Sequence, residues 1–336
     1  MSLPTIPLGR SGMNITRVGL GTWAFGGRGW HHSWGAQDDE DSVATIRHAV
    51  ELGINWVDTA PVYGFGHAES VVARALAGIP EADRPYVFTK CGLVWDGTEG
   101  SQPLVGASKS LRREVEGSLR RLRSERIDLY QTHWPPQDGT PPEEYWGTLL
   151  DLRAEGKIRA AGVCNHSLDQ LRRLHTIGRV DSSQPPFSAL QRAAADHIAW
   201  CGEKSVGTVV YSPLRSGLLS GKFTAERAAA LSADDWRSRD PAFHGARLRR
   251  ALAVAEGLRS VADRHGVPLA AAAVAWTLSW RGVTGAIVGA RGPDQIADWL
   301  GAAALVLTDE DLNEVATVIE RAGAGDGPAR PAPTPV

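Results

Sequence analysis

The sequence is poor in cysteine, with only Cys91, Cys164 and Cys201 among its 336 residues. Their number is odd, they lie far apart, and none belongs to a Cys-x-x-Cys pair. This pattern argues against a disulfide framework and against a zinc ribbon. It is typical of proteins from reducing compartments, so we expect a cytoplasmic protein.

The chain also lacks an excess of charge of one sign and lacks a long apolar run. Its net charge of −2 provides no overall field that would favour nucleic acid or an anionic membrane surface. The longest apolar stretch, Leu269–Leu278, is too short to span a bilayer. The N-terminus has neither the basic start nor the apolar core of a signal peptide. We therefore expect a small-molecule partner, with no nucleic acid and no membrane.

No Gly-x-Gly-x-x-Gly motif follows the first apolar run, so a Rossmann dinucleotide site is not indicated. The adjacent His31 and His32 have no acid-rich partner nearby, and neighbouring side chains rarely converge on one ion. We expect no bound metal.

What the sequence has is a regular alternation of short apolar runs with segments of helical periodicity. The eight runs are predicted to be strands, at residues 18–21, 56–58, 87–90, 129–133, 160–164, 183–184, 208–211 and 286–288. The intervening helices are predicted at residues 39–52, 68–76, 109–122, 142–155, 168–175, 197–203, 247–265 and 293–303. Alternation of this kind implies parallel strand pairing, and eight units indicate a closed α/β barrel, the (β/α)8 TIM fold.

Several segments lie outside this repeat. Residues 3–17 are predicted to form an N-terminal β-hairpin at the bottom of the barrel, and residues 309–322 an extra C-terminal helix. Residues 216–245 form a long connection after the seventh run. We expect one domain over residues 1–322, followed by a disordered Gly/Pro/Ala-rich tail, residues 323–336.

Ionisable residues cluster where successive predicted strands end, which is where catalytic groups lie in this fold. Asp58 ends the second run, Tyr63 follows it, Lys90 ends the third and His133 ends the fourth. Reduction of a carbonyl by hydride leaves an oxygen that needs a proton, and a tyrosine can donate one. In this hypothesis Lys90 lowers the tyrosine pKa, Asp58 holds Lys90, and His133 orients the carbonyl oxygen.

The segments that contain these residues are NWVDTAPVYG (55–64), FTK (88–90) and LYQTHWP (129–135). Together they resemble the signature of the aldo-keto reductase superfamily, and the pattern is most similar to its bacterial stress-protein and inositol-utilisation branch. The resemblance extends over about residues 5 to 320. It implies that Tyr63 is the general acid/base, that Asp58 and Lys90 tune it, and that His133 positions the substrate.

The resemblance also implies a nicotinamide site. Its carboxamide would be held by Cys164, Asn165 and Gln184, and its ring would stack on Tyr211. The other implied cofactor residues are Gly21, Thr22, Trp23, Asp58, Ser212, Pro213, Leu214, Gly217, Gly289, Ala290, Arg291, Gln295 and Asp298. This chain departs from the family pattern where Cys164 replaces a serine and where Asp298 and Trp299 stand near the adenine.

Phosphate often binds near the last strands of such a barrel, and residues 289–293 match that position. Arg291 offers a planar donor suited to a 2′-phosphate, which favours NADP(H) over NAD(H) while leaving NAD(H) possible. The expected activity is NADPH-dependent reduction of an aldehyde or ketone, or the reverse oxidation.

Twelve tryptophans are many for this length, and several fall in the loops at the predicted strand ends. The predicted substrate pocket consists of Trp23, Trp30, Trp34, Tyr63, Trp95, His133 and Trp134. Aromatic walls suit sugar faces and apolar aldehydes alike, so aldehydes, ketones, sugars and polyketide intermediates all stay open. Both a monomer and a homo-oligomer agree with the sequence.

Two other functions also fit part of the pattern. Lys90 could form a Schiff base, as in aldolase-type lyases, although Asp58 argues against a neutral amine. A catalytically slow cofactor-binding sensor subunit would share the same fold and cofactor residues.

Overall fold

The computed structural model describes residues 3–30, 32–95 and 104–332 of the chain. Eight parallel strands close into a barrel in chain order, with the last strand paired to the first. These strands are β3 (Val18–Gly21), β4 (Trp56–Asp58), β5 (Tyr86–Cys91), β6 (Ile127–Thr132), β7 (Ile158–Cys164), β8 (Ser182–Gln184), β9 (Gly207–Tyr211) and β10 (Gly285–Gly289). The prediction of a (β/α)8 barrel is therefore confirmed, and each predicted strand agrees with the observed one within two residues at each end.

Helices surround the barrel, and the first seven predicted helices agree with observed ones to the same accuracy. The observed helices are α1 (Asp39–Glu51), α2 (His67–Leu76), α3 (Ser108–Leu122), α4 (Pro142–Ala154), α5 (Leu168–Ile177), α6 (Ala195–Lys204), α7 (Ala225–Ala229), α8 (Gly245–Arg264), α9 (Leu269–Leu278) and α10 (Asp309–Ala322). The surplus C-terminal helix is α10. It begins with a capping box in which Thr308 and Asp311 exchange hydrogen bonds.

The hairpin formed by β1 (Thr5–Pro7) and β2 (Asn14–Thr16) lies at the end of the barrel opposite the strand C-termini. Its buried Leu8, Met13 and Ile15 pack with barrel side chains, among them Trp56. The Trp56 indole crosses above Gly19, where an added Cβ would lie 2.1 Å from the ring. Only glycine leaves room there, so Trp56 fills the barrel interior because residue 19 has no side chain.

The stretch Leu269–Leu278 forms a helix that the sequence pattern did not predict. All ten of its residues are buried, so it has no polar face and no helical periodicity. The reverse error concerns residues 293–303, predicted as one helix. They form two short 3-10 segments, Pro293–Ile296 and Leu300–Ala303, with the buried Trp299 between them.

The expected disorder of the tail is wrong for residues 323–332, which pack against the barrel. The buried Arg192 donates hydrogen bonds to the carbonyl oxygens of Ala324 (2.9 Å), Gly325 (3.2 Å), Gly327 (3.4 Å) and Pro328 (3.0 Å). The Gly/Pro/Ala-rich composition does not indicate this packing, because the contacts are made by the backbone of the tail. Their partner is a side chain more than 130 residues earlier in the chain. Residues 333–336 lie outside the described residues. Within the described ranges, no helix combines the length and apolarity needed to cross a membrane.

We predict that Arg192→Met loosens the tail, because the guanidinium supplies charge-assisted hydrogen bonds to several backbone carbonyls at once. The free energy of unfolding should fall by about 1–3 kcal/mol, and proteolytic cleavage after residue 322 should become faster. Chemical denaturation and limited proteolysis followed by mass spectrometry measure both effects. Arg321→Ala, at an exposed position of α10, is the matched control. Unchanged cleavage in Arg192→Met would show that the tail is held by other contacts.

Candidate active site

One mouth of the barrel collects polar residues from almost every strand. Six strands end on a residue predicted to be functional, namely Gly21, Asp58, Cys164, Gln184, Tyr211 and Gly289. Lys90 is the penultimate residue of β5, and His133 directly follows β6. Parallel strands in a closed barrel all present their carboxyl ends at the same rim, so residues distant in sequence converge there.

Lys90 is the centre of this cluster. Its side chain is buried, and its ammonium nitrogen donates hydrogen bonds to Asp58 Oδ1 at 2.5 Å and to the Thr59 carbonyl oxygen at 3.0 Å. The third contact is with the Tyr63 hydroxyl oxygen at 3.4 Å. The ammonium therefore stands directly beside the phenol that the sequence predicted as proton donor.

Asp58 is held on its other side by an amide. Gln184 Nε2, at the end of β8, donates a hydrogen bond to Asp58 Oδ2 at 2.9 Å. The Asp58 backbone carbonyl also accepts hydrogen bonds from the backbone and hydroxyl of Thr22. Each oxygen of the Asp58 carboxylate thus accepts a hydrogen bond, one from Lys90 and the other from Gln184 on the opposite side of the barrel. These two bonds fix the position of Asp58 beside Lys90.

The phenol of Tyr63 is a weaker acid than the hypothesis of a pKa lowered by Lys90 predicts. Burial raises its pKa to about 12, and the nearby Lys90 charge only partly opposes that shift. Burial penalises the phenolate more strongly than one ammonium, itself paired with Asp58, can favour it. At neutral pH the tyrosine is therefore protonated and able to give up a proton.

The other two predicted catalytic groups have definite charge states. Burial by itself lowers the pKa of Lys90, but the Asp58 carboxylate and the other neighbouring groups together outweigh it and the net pKa is raised, so the ammonium is retained. Burial, and then the Lys90 charge, lower the pKa of His133 well below its usual 6.5. His133 is therefore a neutral imidazole, and its ring lies edge-on to Tyr63 with centroids 6.0 Å apart.

These charge states contradict the Schiff-base alternative. An amine that attacks a carbonyl must be neutral, whereas Lys90 is charged and bound to a carboxylate at 2.5 Å. His32 lies in the cleft wall and His31 lies outside the described residues. Within the described ranges, no group of three or more His, Cys, Asp or Glu side chains is placed to hold a metal ion.

Asn165 connects the mouth of the barrel to Tyr211. Its amide nitrogen donates to the His133 carbonyl oxygen at 3.0 Å, and its Oδ1 accepts the Tyr211 hydroxyl at 2.7 Å. The residue has a left-handed backbone, with φ of 60°, which asparagine tolerates better than most residues. Next to it, burial raises the pKa of the Cys164 thiol to about 12, so Cys164 acts as a weak neutral donor to Gln184.

A cleft of about 470 Å³ runs from this mouth along the barrel rim. All seventeen residues predicted to bind cofactor line it, including the distant Arg291, Gln295 and Asp298. Trp23, Trp30, Trp34 and Trp134 of the predicted substrate pocket line it as well. Trp95 does not, because its exposed ring stacks on Phe65 with centroids 4.4 Å apart.

Two loops approach each other closely beside Tyr63, and this approach holds the Trp23 ring against the Tyr63 ring. An added Cβ at Gly64, whose φ is 63°, would lie 2.2 Å from the Gly26 carbonyl oxygen. An added Cβ at Gly26 would lie 2.8 Å from the Tyr63 carbonyl carbon. Glycine at both positions lets Trp23 stack on the Tyr63 ring at a centroid distance of 6.3 Å.

Several cleft residues were missed by sequence reasoning. Lys222, Arg227 and Arg237 all lie in the long connection and line the cleft, and Trp236 stacks on Trp23 at 5.7 Å. No motif marks them, because they reach the site from one irregular loop. Only the four arginines in residues 215–239 were a signal in the sequence.

Arg291 and Asp298 lie in the cleft as predicted, but both are engaged with protein groups. Arg291 Nε donates to Gln37 Oε1 at 3.0 Å, and its Nη2 donates to the Ala36 carbonyl oxygen. Asp298 forms an ion pair with Lys222 at 2.5 Å across the cleft.

The donor set of the cleft fits a dinucleotide. The volume of the cleft, about 470 Å³, lies in the range of small-molecule binding sites. The cleft lining also includes the cations Lys222, Arg227 and Arg291 with the carboxylate of Asp298. This positive excess suits phosphates, and the flat ring of Tyr211 suits an aromatic group.

Comparison with known proteins agrees with this geometry. The sequence model of the aldo/keto reductase family matches residues 17–320. The chain is 35% identical over 313 residues to the aldo-keto reductase YhdN of Bacillus subtilis, covering 92% of each chain. It is 34% identical over 331 residues to the NADH-specific methylglyoxal reductase of Escherichia coli, covering 94% of this chain and 99% of that one.

A solved structure shows the same architecture. The glycerol dehydrogenase of Gluconobacter oxydans superposes with a TM-score of 0.85 at 38% identity, covering 96% of both chains. The family match spans nearly the whole barrel, and the relatives are matched over almost their full lengths. The chain is therefore a member of the aldo/keto reductase family, an NAD(P)H-dependent oxidoreductase of carbonyl compounds.

Proposed function

We propose that this enzyme reduces a small aldehyde or ketone to an alcohol, with Tyr63 as the proton donor and NADPH as the preferred cofactor. The observation that supports this most strongly is the contact of the Tyr63 hydroxyl with the buried Lys90 ammonium at 3.4 Å, at the mouth of the cleft. When bound, the nicotinamide supplies the hydride. The protein must then hold the carbonyl, provide the proton and exclude water.

Each residue of the cluster has one task in this proposal. The neutral imidazole of His133 donates a hydrogen bond to the carbonyl oxygen and so polarises the C=O bond. Tyr63 transfers its proton to that oxygen as negative charge develops on it. Lys90 stays charged and stabilises the phenolate that remains, while Asp58 and Gln184 keep Lys90 in place. The Trp23 and Trp30 rings cover Tyr63 and keep water away.

The charge state of Tyr63 favours reduction at neutral pH. A phenol with a pKa of about 12 is protonated and ready to donate, whereas oxidation of an alcohol requires the phenolate as base. The form of the enzyme that is populated at neutral pH is therefore the one that carries out the reduction of a carbonyl.

The preference for NADPH rests on the cations at the far end of the cleft. Arg291 is held at the cleft rim by Gln37 and Ala36, and its Nη1 forms no hydrogen bond with any residue that the structure describes. That donor is available to a 2′-phosphate oxygen, and Arg227 adds positive charge along the same cleft. NADH remains usable in this proposal, as in the NADH-specific methylglyoxal reductase of Escherichia coli.

The first prediction concerns the proton donor. Tyr63→Phe should lower kcat for NADPH-dependent reduction of 4-nitrobenzaldehyde and methylglyoxal by about 10²- to 10⁴-fold, because the general acid is removed. The Kd for NADPH, measured by quenching of tryptophan fluorescence, should stay within about twofold of wild type, since one hydroxyl is lost outside the phosphate end. Tyr86→Phe, on the same barrel but away from the cleft, is the control. Near-normal turnover by Tyr63→Phe would refute the assignment.

The second prediction concerns pH. Because the pKa of Tyr63 is about 12, initial rates of reduction should stay nearly constant as pH rises from 6 to 9. Initial rates of alcohol oxidation should instead rise with pH, by up to about tenfold per unit, since the phenolate fraction rises in that way below the pKa. Steady-state assays in both directions with wild type and Tyr63→Phe measure this. An oxidation rate that does not rise with pH would contradict phenolate as the base.

The third prediction concerns the 2′-phosphate. Arg291→Ala should raise the KM for NADPH about tenfold or more, through loss of a charge-assisted hydrogen bond, and should change the KM for NADH less than about twofold. Arg249→Ala, an exposed arginine of α8, removes the same charge far from the cleft and should alter neither. Equal effects of Arg291→Ala on both cofactors would defeat the assignment.

A further inference from the structure

A second cavity, of about 370 Å³, lies beside the catalytic end of the cleft. The two spaces share the walls formed by Trp23, Tyr211, Ser212 and Ser216. The second cavity is open to solvent, and Arg215, Gln191 and Trp236 are among its other lining residues. A substrate whose carbonyl lies beside Tyr63 could therefore extend into it past Trp23.

The segment that carries Arg215 is strained. Ser212, Arg215 and Ser216 have φ values of 58°, 45° and 54°, all in the left-handed region. Each such conformation costs free energy when the residue is not glycine. Strain of this kind concentrates at functional sites, and here it turns a short segment after β9 so that Arg215 forms part of the cavity wall.

Arg215 differs from the neighbouring cations in its partners. Arg237 is neutralised by Asp235 through three hydrogen bonds, and Lys222 is paired with Asp298. Arg215 as a residue is only partly exposed, and its guanidinium forms no hydrogen bond or ion pair with any residue in the described parts of the chain. A half-buried cation without a protein anion is suited to a negatively charged ligand.

The rest of the cavity supports a flat, polar-ended ligand. Trp236 stacks on Trp23 with an interplanar angle of 14°, and Trp23 stacks on Tyr63 with an angle of 17°. These nearly parallel rings form an apolar wall that connects the reacting centre to Arg215. The carboxylate in the wall, Asp240, is engaged in capping by accepting the Ala242 backbone N–H at 2.8 Å.

We propose that this cavity is a subsite for a carboxylate carried by the aldehyde substrate, with Arg215 as its charge partner and Trp23 and Trp236 as its walls. The inference rests on the proposed function, because it places the carbonyl of the same molecule beside Tyr63. It assigns the enzyme to oxo-acid-type aldehydes, in which a flat or short spacer separates the carbonyl from the carboxylate.

The test compares aldehydes that differ in charge but little in shape. We would measure kcat/KM with NADPH for 4-carboxybenzaldehyde against methyl 4-formylbenzoate, and for succinic semialdehyde against butanal. Wild type should prefer the carboxylated member of at least one pair by about tenfold or more, since a guanidinium–carboxylate pair is stronger than a neutral contact.

The variants separate charge from packing. Arg215→Ala should remove the preference by lowering kcat/KM for the carboxylated aldehyde about tenfold or more while leaving its neutral counterpart within about twofold. Arg215→Lys should restore part of the preference, because it keeps the charge but not the planar pair of donors. Arg249→Ala is the control of equal charge outside both cavities and should preserve the preference.

Two results would overturn the proposal in distinguishable ways. Efficient reduction of the neutral aldehydes without a carboxylate preference, or an equal effect of Arg215→Ala on both members of each pair, would refute the subsite and leave the proposed function intact. Absence of turnover with all four aldehydes would refute the proposed function and the subsite with it.

Discussion

A buried ammonium group needs an adjacent anion and hydrogen-bond acceptors, and this requirement determines how the side chains at the mouth of this barrel are arranged. Lys90 has no exposed surface, so it is stable only because Asp58, the Thr59 carbonyl and the Tyr63 hydroxyl surround it. Asp58 in turn needs Gln184 from the opposite side of the barrel. The ends of β4, β5 and β8 are therefore fixed relative to one another, and the phenol of Tyr63 is placed as a consequence.

The two ends of the cleft provide different chemical environments. Around Tyr63 the groups are aromatic and shielded from solvent only in part by one another, yet this shielding keeps the phenol protonated and the His133 imidazole neutral. At the other end, cations from the long connection and from the loop after β10 face a space open to phosphates. Proton transfer needs the first environment and polyanion binding the second. One irregular connection, through Arg215, Trp236 and Lys222, contributes to the substrate and cofactor ends alike.

The parts of the fold that were predicted correctly are those with a periodic signal. Strand–helix alternation located the barrel, and the rule that parallel strands share a functional end located Asp58, Lys90 and His133. The failures have physical causes as well. Residues 269–278 are buried on all sides and so carry no periodicity, and the tail is held by Arg192 through backbone carbonyls that no side-chain pattern reports. Trp95 stacks on Phe65 outside the cleft, although its position in sequence resembled that of a pocket residue.

The sequence by itself determined the architecture, the family and the chemical identity of the reacting groups, because strand spacing and motifs depend on residues that are close together in the sequence. Only the tertiary structure decided the charge state of Tyr63, since the pKa depends on how completely the phenol is buried as well as on the presence of a lysine. It also decided which cations already have partners. Lys222 and Arg291 are engaged by groups distant in the chain, and Arg215 is left facing a cavity. Pairing of charges depends on distances between loops, which no local pattern in the sequence encodes.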